Sequence, residues 1–238
     1  MTILPAGSDK DYKKTYMEIR VAFHRKLREI QDDIVTMGSM ASNAILRSVE
    51  ALKNRDLDLA RQVILDDQKI NHKRFEIEEK CIQLIATQQP VASDLRIIVA
   101  VLYIIFEVER IGDYAEGIAK IAIMIGDEPP LKPLIDIPRM ADHTVDMLRR
   151  ALDAFVNRDA EAARAISSED DLVDQLYDQV FRELLSFMAE DPKTITRATR
   201  LIWVTHNLER SADRVTNICE RVVFVVTGKM EEIGVSKY

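Results

Sequence analysis

The apolar residues of this chain recur at helical spacing over long segments. Around position 180 they fall every four residues, at Leu172, Leu176, Val180 and Leu184, which predicts one buried face of a helix. The pattern stops where proline, glycine or a capping acid interrupts it. The predicted helices form two sets of three, at roughly 23–54, 57–87 and 93–125, then 138–157, 159–190 and 194–227.

The second set of helices repeats the first. The segment ALKNRD at 51–56 recurs as AFVNRD at 154–159, which is 103 positions later. Helices of this length that are joined by short turns lie antiparallel. We therefore predict an all-α fold of two tandem antiparallel three-helix bundles that arose by internal duplication. The predicted domains are 16–127 and 134–230, with residues 1–15 as an N-terminal arm.

Composition supports a helical, globular chain and argues against several function classes. Glycine and proline number only seven each, and 47% of the residues are hydrophobic, so disorder is not expected. The net charge is −7 and, although residues 20–28 are locally basic, no basic patch dominates the chain, which argues against nucleic-acid binding. Residues 1–8 lack the apolar segment of a signal peptide, and Cys81 and Cys219 show no pairing or metal-ligand spacing. We expect a cytoplasmic protein with reduced thiols.

One stretch, Ile97–Phe106, is apolar on every face of its predicted helix. It is too short to cross a membrane, and a three-helix bundle is too thin to bury a helix on all sides. We therefore expect an interface there, either between the two bundles or between the subunits of a homodimer. Trp203 is predicted to lie in the core.

The motif Glu-Arg-x-x-Asp occurs twice. Glu109 and Asp113 form the first copy, and Glu209 and Asp213 form the second copy 100 positions later. Two acids four residues apart project from one face of a helix, where their charges repel each other. Because the unfavourable arrangement is repeated at corresponding places, the sequence favours a cation between the acids.

The middle helix of each set carries a matching pair at the same spacing. Since the middle and third helices of a bundle are antiparallel neighbours, each bundle can bring two such pairs together. The predicted metal ligands are Asp67, Asn71, Glu109 and Asp113 in the first bundle and Asp170, Asp174, Glu209 and Asp213 in the second. All-oxygen ligands suit Mg²⁺, Mn²⁺, Ca²⁺, Fe³⁺ or Zn²⁺, and bridging carboxylates allow more than one ion. The competing interpretation is that Arg110, Arg210 and nearby bases pair with the acids on a solvated face.

These motifs resemble those of the PhoU family of phosphate-transport accessory regulators. The resemblance runs from Phe23 to about Gly228 and includes QPVASDLR at 89–96 and both Glu-Arg-x-x-Asp motifs. It implies two three-helix bundles with multinuclear clusters of iron, zinc, manganese or magnesium on the acidic pairs. It also implies a non-enzymatic negative regulator of phosphate uptake and of the phosphate-starvation response. The implied partners are the phosphate ABC transporter and a membrane histidine kinase, and the implied membrane association is peripheral and through those partners only.

The chain departs from the family pattern in its first half. Asn71 stands where the second half has Asp174, and Gly117 stands where the second half has Asn217. These differences predict a first site that is poorer in ligands. Glu116 either compensates for the missing ligand or faces solvent, and we expect it to face solvent. His206 is the histidine best placed to join a site.

Two other function classes compete with the regulator. A carboxylate-bridged metalloenzyme would usually add Glu-x-x-His motifs, and none occurs at the acidic pairs. A helical adaptor would carry the same acids without binding metal. Metal analysis separates the adaptor from the other two classes, and an oxidase or hydrolase assay separates the enzyme.

Overall fold

Seven α-helices and one 3₁₀ turn make up the part of the chain that the structure describes. The computed structural model describes residues 9–233, with side chains from Arg20 onward, and it contains no β-strand in this range. The helices are α1 Asp9–Asn54, α2 Leu57–Gln88, α3 Ala92–Ile125, α4 Asp136–Asn157, α5 Ala160–Ser167, α6 Asp170–Glu190 and α7 Ile195–Thr227, with the 3₁₀ turn at Pro192–Thr194. The all-α prediction is confirmed.

Equivalent turns join the first two helices of each half. Arg55 and Arg158 have left-handed backbones, with φ of 58° and 56°, and each precedes an aspartate that caps the next helix. Asp56 Oδ1 accepts from the backbone N–H of Leu59 at 2.8 Å, and Asp159 Oδ1 accepts from that of Ala162 at 2.9 Å. Such a cap satisfies a backbone donor that the first helical turn leaves free. Both caps lie where a capping acid interrupts the helical pattern of the sequence.

Three local predictions are wrong. Helix α1 begins at Asp9, so residues 9–15 of the predicted arm are helical, while residues 1–8 lie outside the described residues. No glycine or proline occurs from Asp9 to Met37, so nothing interrupts the helix there. The predicted fifth helix is broken at Ser168 and Glu169 into α5 and α6. Trp203 is 51% exposed instead of buried.

The break before α6 changes which residues face the core. Leu172 is 46% exposed, while Val173, Leu176, Val180 and Leu184 are buried. The break is held from two sides, because Arg150 of α4 pairs with Glu169 and Ser167 Oγ donates to the backbone oxygen of Ile233 at 3.2 Å. The predicted stripe is thus correct from Leu176 onward.

Helices α1, α2 and α3 pack as one three-helix bundle, and α4, α5–α6 and α7 pack as the other. The bundles meet through α3 against α7 and α1 against α4. Within Ile97–Phe106, the face that includes Ile98, Val101 and Ile105 is buried, while Tyr103 is 48% exposed. The expected interface of this stretch is therefore the one between the bundles.

Helices α3 and α7 cross in an antiparallel register that is nearly two-fold symmetric. Glu107 lies beside Asn217, whose Nδ2 donates to Glu107 Oε2 at 3.2 Å. In the repeat, Asn207 is equivalent to Glu107 and Gly117 is equivalent to Asn217. These two residues are also neighbours, because a Cβ added to Gly117 would lie 3.4 Å from Asn207 Nδ2. The symmetry exchanges each residue of α3 with the residue of α7 that is 100 positions later, so the axis passes near Gly112 and Ala212.

Candidate metal centre

The first candidate site lies between α2 and α3. Asp67 and Asn71 are one turn apart on α2, and Asn71 Nδ2 donates to Asp67 Oδ2 at 2.8 Å. Glu109 and Asp113 are one turn apart on the facing part of α3. Gly112 allows the close approach of the helices, because a Cβ there would lie 3.0 Å from Ile70 Cδ1 and 3.3 Å from Asp67 Oδ1. The predicted residues of the first bundle are thus brought together.

Burial and mutual repulsion raise the pKa values of these acids. The pKa of Asp67 is raised to about 6, first by burial and then by the charges of Asp113 and Glu116. Burial is also the main cause of the raised pKa of Glu109, to which Asp113 adds, and of the raised pKa of Asp113, to which Glu116 adds. A raised carboxyl pKa means that nearby positive charges and hydrogen bonds do not compensate the ionised form for its burial and for the repulsion from its neighbours.

The second candidate site lies between α6 and α7 and is more strongly perturbed. The pKa values of Asp170 and Glu209 are both raised to about 7, chiefly by burial, and Asp174 and Asp213 add to both shifts. The pKa of Asp174 is raised by burial and then by the charge of Asp213. The four predicted residues of the second bundle therefore form one interacting group, with Asp170 only 8% exposed.

The arginines of the two motifs do not neutralise these groups. Arg110 Nη1 is 3.8 Å from Asp113 Oδ2, and the Arg110 side chain is 64% exposed. Arg210 Nε is 4.0 Å from Asp213 Oδ2 and lies 3.4 Å from the Tyr114 hydroxyl, to which it donates. Long, exposed pairs of this kind contribute little. The interpretation that Arg110 and Arg210 balance the charges of the acids therefore does not account for the buried carboxylate oxygens.

Several residues that the sequence did not assign lie at the sites. Glu116 was expected to face solvent, but its side chain is 22% exposed and pairs with Lys120 at 2.6 Å, and its charge acts on Asp67. Arg74 Nε lies 3.7 Å from Glu109 Oε1. At the second site, His206 Nδ1 is 3.3 Å from Glu209 Oε2, as the spacing of His206 suggested. Arg74 left no signal in the sequence, because its counterpart in the repeat is a tyrosine.

The donor atoms fit hard cations. Four buried oxygens of the two sites have no hydrogen-bond partner among the described residues: Asp67 Oδ1, Asn71 Oδ1, Asp170 Oδ1 and Glu209 Oε2. A buried acceptor without a partner is unfavourable, and carboxylate and amide oxygens are ligands of Mg²⁺, Mn²⁺ and Ca²⁺. Across residues 20–233, however, no three His, Cys, Asp or Glu side chains already converge to enclose an ion. Side chains at each site would have to turn toward a common point for an ion to bind.

Between residues 9 and 233, no helix combines the length and the apolar character that a membrane span needs. This includes α3, where charged residues follow the apolar stretch directly.

The chain is similar in sequence to known proteins. The sequence profile of the PhoU domain matches residues 34–122 and 137–222. A Clostridium acetobutylicum protein named as a phosphate-specific transport system accessory protein PhoU homolog is 38% identical over 216 residues, which cover 90% of this chain and 99% of that protein. The Escherichia coli K12 phosphate-specific transport system accessory protein PhoU is 36% identical over 207 residues, which cover 87% of this chain and 86% of that protein.

Solved structures agree with the fold. The crystal structure of PhoU from Pseudomonas aeruginosa superimposes with a TM-score of 0.82 at 34% identity, covering 87% of this chain and 100% of that chain. The crystal structure of the phosphate transport system regulatory protein PhoU from Streptococcus pneumoniae gives a TM-score of 0.83 at 28% identity, covering 89% of this chain and 100% of that chain.

Proposed function

Because this chain belongs to the PhoU family and so has a role in regulating phosphate transport, we propose that it is a negative regulator whose two carboxylate sites bind metal ions. Its targets in this proposal are the phosphate ABC transporter and the histidine kinase that senses phosphate. The regulator acts by protein contacts, as a non-enzymatic cytoplasmic protein that forms a homodimer and reaches the membrane through its partners.

The observation that supports metal binding is the set of buried oxygens in both bundles that accept no hydrogen bond from the described residues. In the second bundle the ligands would be Asp170, Asp174, Glu209 and Asp213. In the first bundle they would be Asp67, Asn71, Glu109 and Asp113. A bound cation would supply the positive charge that these sites lack, and it would favour the ionised carboxylates over the protonated ones.

Elemental analysis tests the metal sites directly. The protein is purified without chelator, and we expect at least one transition-metal or alkaline-earth ion per chain. In the variant that combines Glu209→Ala with Asp213→Ala, the second bundle should lose its ions. Bound metal that is unchanged in this variant would show that the second site is assigned incorrectly.

Phosphate repression in a deletion strain tests the regulatory role. Without the protein, a phosphate-starvation reporter should be active even in rich phosphate, and phosphate uptake should be unrestrained. Purified protein should co-sediment with membrane vesicles that contain the phosphate transporter and less with vesicles that lack it. Normal repression in the deletion strain would contradict the regulatory proposal, and oxidase and hydrolase assays of the metal-loaded protein would then test the metalloenzyme alternative.

A further inference from the structure

The two candidate sites differ at one helix position that lies outside the acidic pairs. Arg74 follows Asp67 by seven residues on α2, and Tyr177 follows Asp170 by seven residues on α6, so they are equivalent in the repeat. Arg74 Nε is 3.7 Å from Glu109 Oε1. Tyr177 is close enough to Glu209 for that charge to add to burial in raising the pKa of its phenol. The first site therefore has a cation where the second has a neutral hydroxyl.

The Arg74 guanidinium is fixed in place. Its carbon lies 3.9 Å from the centroid of the Phe75 ring and 4.8 Å from that of Phe106, which are favourable cation–π distances. Arg74 Nη1 also pairs with Glu78 at 3.0 Å, and the Arg74 side chain is only 11% exposed. These contacts hold the positive charge of the guanidinium at the site.

The carboxylate count differs in the same direction as the cation. The first site has three predicted carboxylate ligands, because Asn71 is an amide, and the second site has four. Glu116 adds a further acid near the first site, but Lys120 lies 2.6 Å from it. Both differences lower the negative charge that the first site offers to a metal ion, and at the second site the charges of Arg210 and Arg214 act on Glu209 from α7.

We propose that Arg74 is a built-in counter-cation that makes the first site bind divalent cations more weakly than it would with the neutral residue, Tyr177, that holds the equivalent position at the second site. This inference rests on the metal binding proposed above. A fixed positive charge within several ångströms of a divalent ion lowers its affinity by about tenfold to a hundredfold at a partly exposed site. Exchanging the residues at positions 74 and 177 should therefore raise the affinity of the first site for a divalent ion and lower that of the second.

Mn²⁺ titration by calorimetry tests the proposal in two full-length backgrounds. One background keeps only the first site, through Glu209→Ala with Asp213→Ala. The other keeps only the second site, through Glu109→Ala with Asp113→Ala. We expect Arg74→Tyr to strengthen Mn²⁺ binding at least tenfold in the first background, and Tyr177→Arg to weaken it by a similar factor in the second.

Matched variants separate the local charge from other effects. Arg74→Gln removes the charge while keeping a long polar side chain, so it should also strengthen binding, whereas Arg74→Lys should leave binding weak. Arg61→Tyr changes the net charge of the same helix equally, but Arg61 is exposed and pairs with Asp58, so binding should not change. Circular dichroism establishes that each variant is folded.

The outcomes distinguish this proposal from the one on which it rests. Mn²⁺ binding in both backgrounds that is insensitive to residues 74 and 177 would overturn the role of Arg74 and leave the metal sites intact. Mn²⁺ binding in neither background, with or without the exchanges, would overturn both proposals. Strengthening by Arg61→Tyr equal to that by Arg74→Tyr would show that only net charge matters, which also contradicts a local counter-cation.

Discussion

Replacing Asp170 with asparagine should stabilise the ion-free protein at neutral pH and not at acidic pH. The pKa of Asp170 is raised from 3.8 to about 7 in the folded protein, whereas in the unfolded chain it returns to its ordinary value. Between these two pH values the folded state binds more protons than the unfolded state. Linkage then requires the free energy of unfolding to fall as pH rises through this window, and the loss is complete above about pH 7.

The size of the effect follows from the shift. Three pKa units correspond to about 4 kcal/mol, at about 1.4 kcal/mol per unit. The charges of Asp174, Asp213 and Glu209 contribute to this shift, so the penalty is shared within the group and removal of one carboxylate recovers about 1–3 kcal/mol. Asparagine has the shape of the protonated acid. The variant should therefore match the wild type at about pH 3.5, below the start of this window, and exceed its stability by that amount at pH 7.5.

Urea denaturation followed by circular dichroism, with a chelator present, measures the effect at both pH values. Asp171→Asn is the matched control, because Asp171 also lies in the first turn of α6 but is exposed. Both substitutions remove a favourable charge at a helix N-terminus, worth about 0.3–1 kcal/mol. Because the charge of Asp171 also adds to the pKa shifts of Asp170 and Asp174, the difference between the two variants is a lower bound on the effect of the buried carboxylate. We would reject a penalty for the buried, ionised Asp170 carboxylate if the Asp170→Asn protein were no more stable than the control at pH 7.5, or if it were stabilised equally at both pH values.

Three further outcomes are expected. During chelator titration the first bundle should release its ions before the second, as metal analysis of the two single-site backgrounds would show; equal resistance of the two sites would contradict this. Gly112→Ala should lower the free energy of unfolding by about 1–2 kcal/mol, because the new Cβ would lie 3.0 Å from Ile70 Cδ1. An unchanged midpoint of urea denaturation would count against close packing of α2 and α3 at this position. Truncation after Gly228 removes the backbone oxygen of Ile233 that accepts from Ser167, so amide hydrogen exchange in α5 should accelerate; unchanged exchange would mean that the C-terminal segment does not hold the helix break.

Much of the fold was predictable because the chain obeys local rules. The capping aspartates Asp56 and Asp159, and the helix stop at Gly228 with φ of 75°, each have a direct physical cause in the sequence. The break between α5 and α6 was not predictable in this way. It contains neither glycine nor proline, and it is held by Arg150 and by the backbone of Ile233, which are distant in sequence.

The candidate sites were predictable as far as they depend on spacing. Acids four residues apart must share a helix face, and the antiparallel packing of α2 on α3 and of α6 on α7 places the pairs together. Arg74 could not be found by this reasoning, since its role depends on the two phenylalanine rings that hold it. The prediction for Trp203 was wrong because which face of α7 is exposed depends on how the helices pack. Leu201 and Val204 are buried, but Trp203 lies on the exposed side of α7.

The near two-fold crossing of α3 and α7 has an evolutionary consequence. A contact surface that is related to itself by a two-fold axis is the isologous interface of a symmetric dimer, so the geometry is that of two identical three-helix subunits whose genes later fused. Fusion removed the requirement that both sides of the axis change together. Arg214 lies 3.4 Å from Glu107 across the axis, whereas the equivalent positions hold Tyr114 and Asn207. A single polypeptide could thus acquire an ion pair on one side only, which no dimer of identical subunits can do.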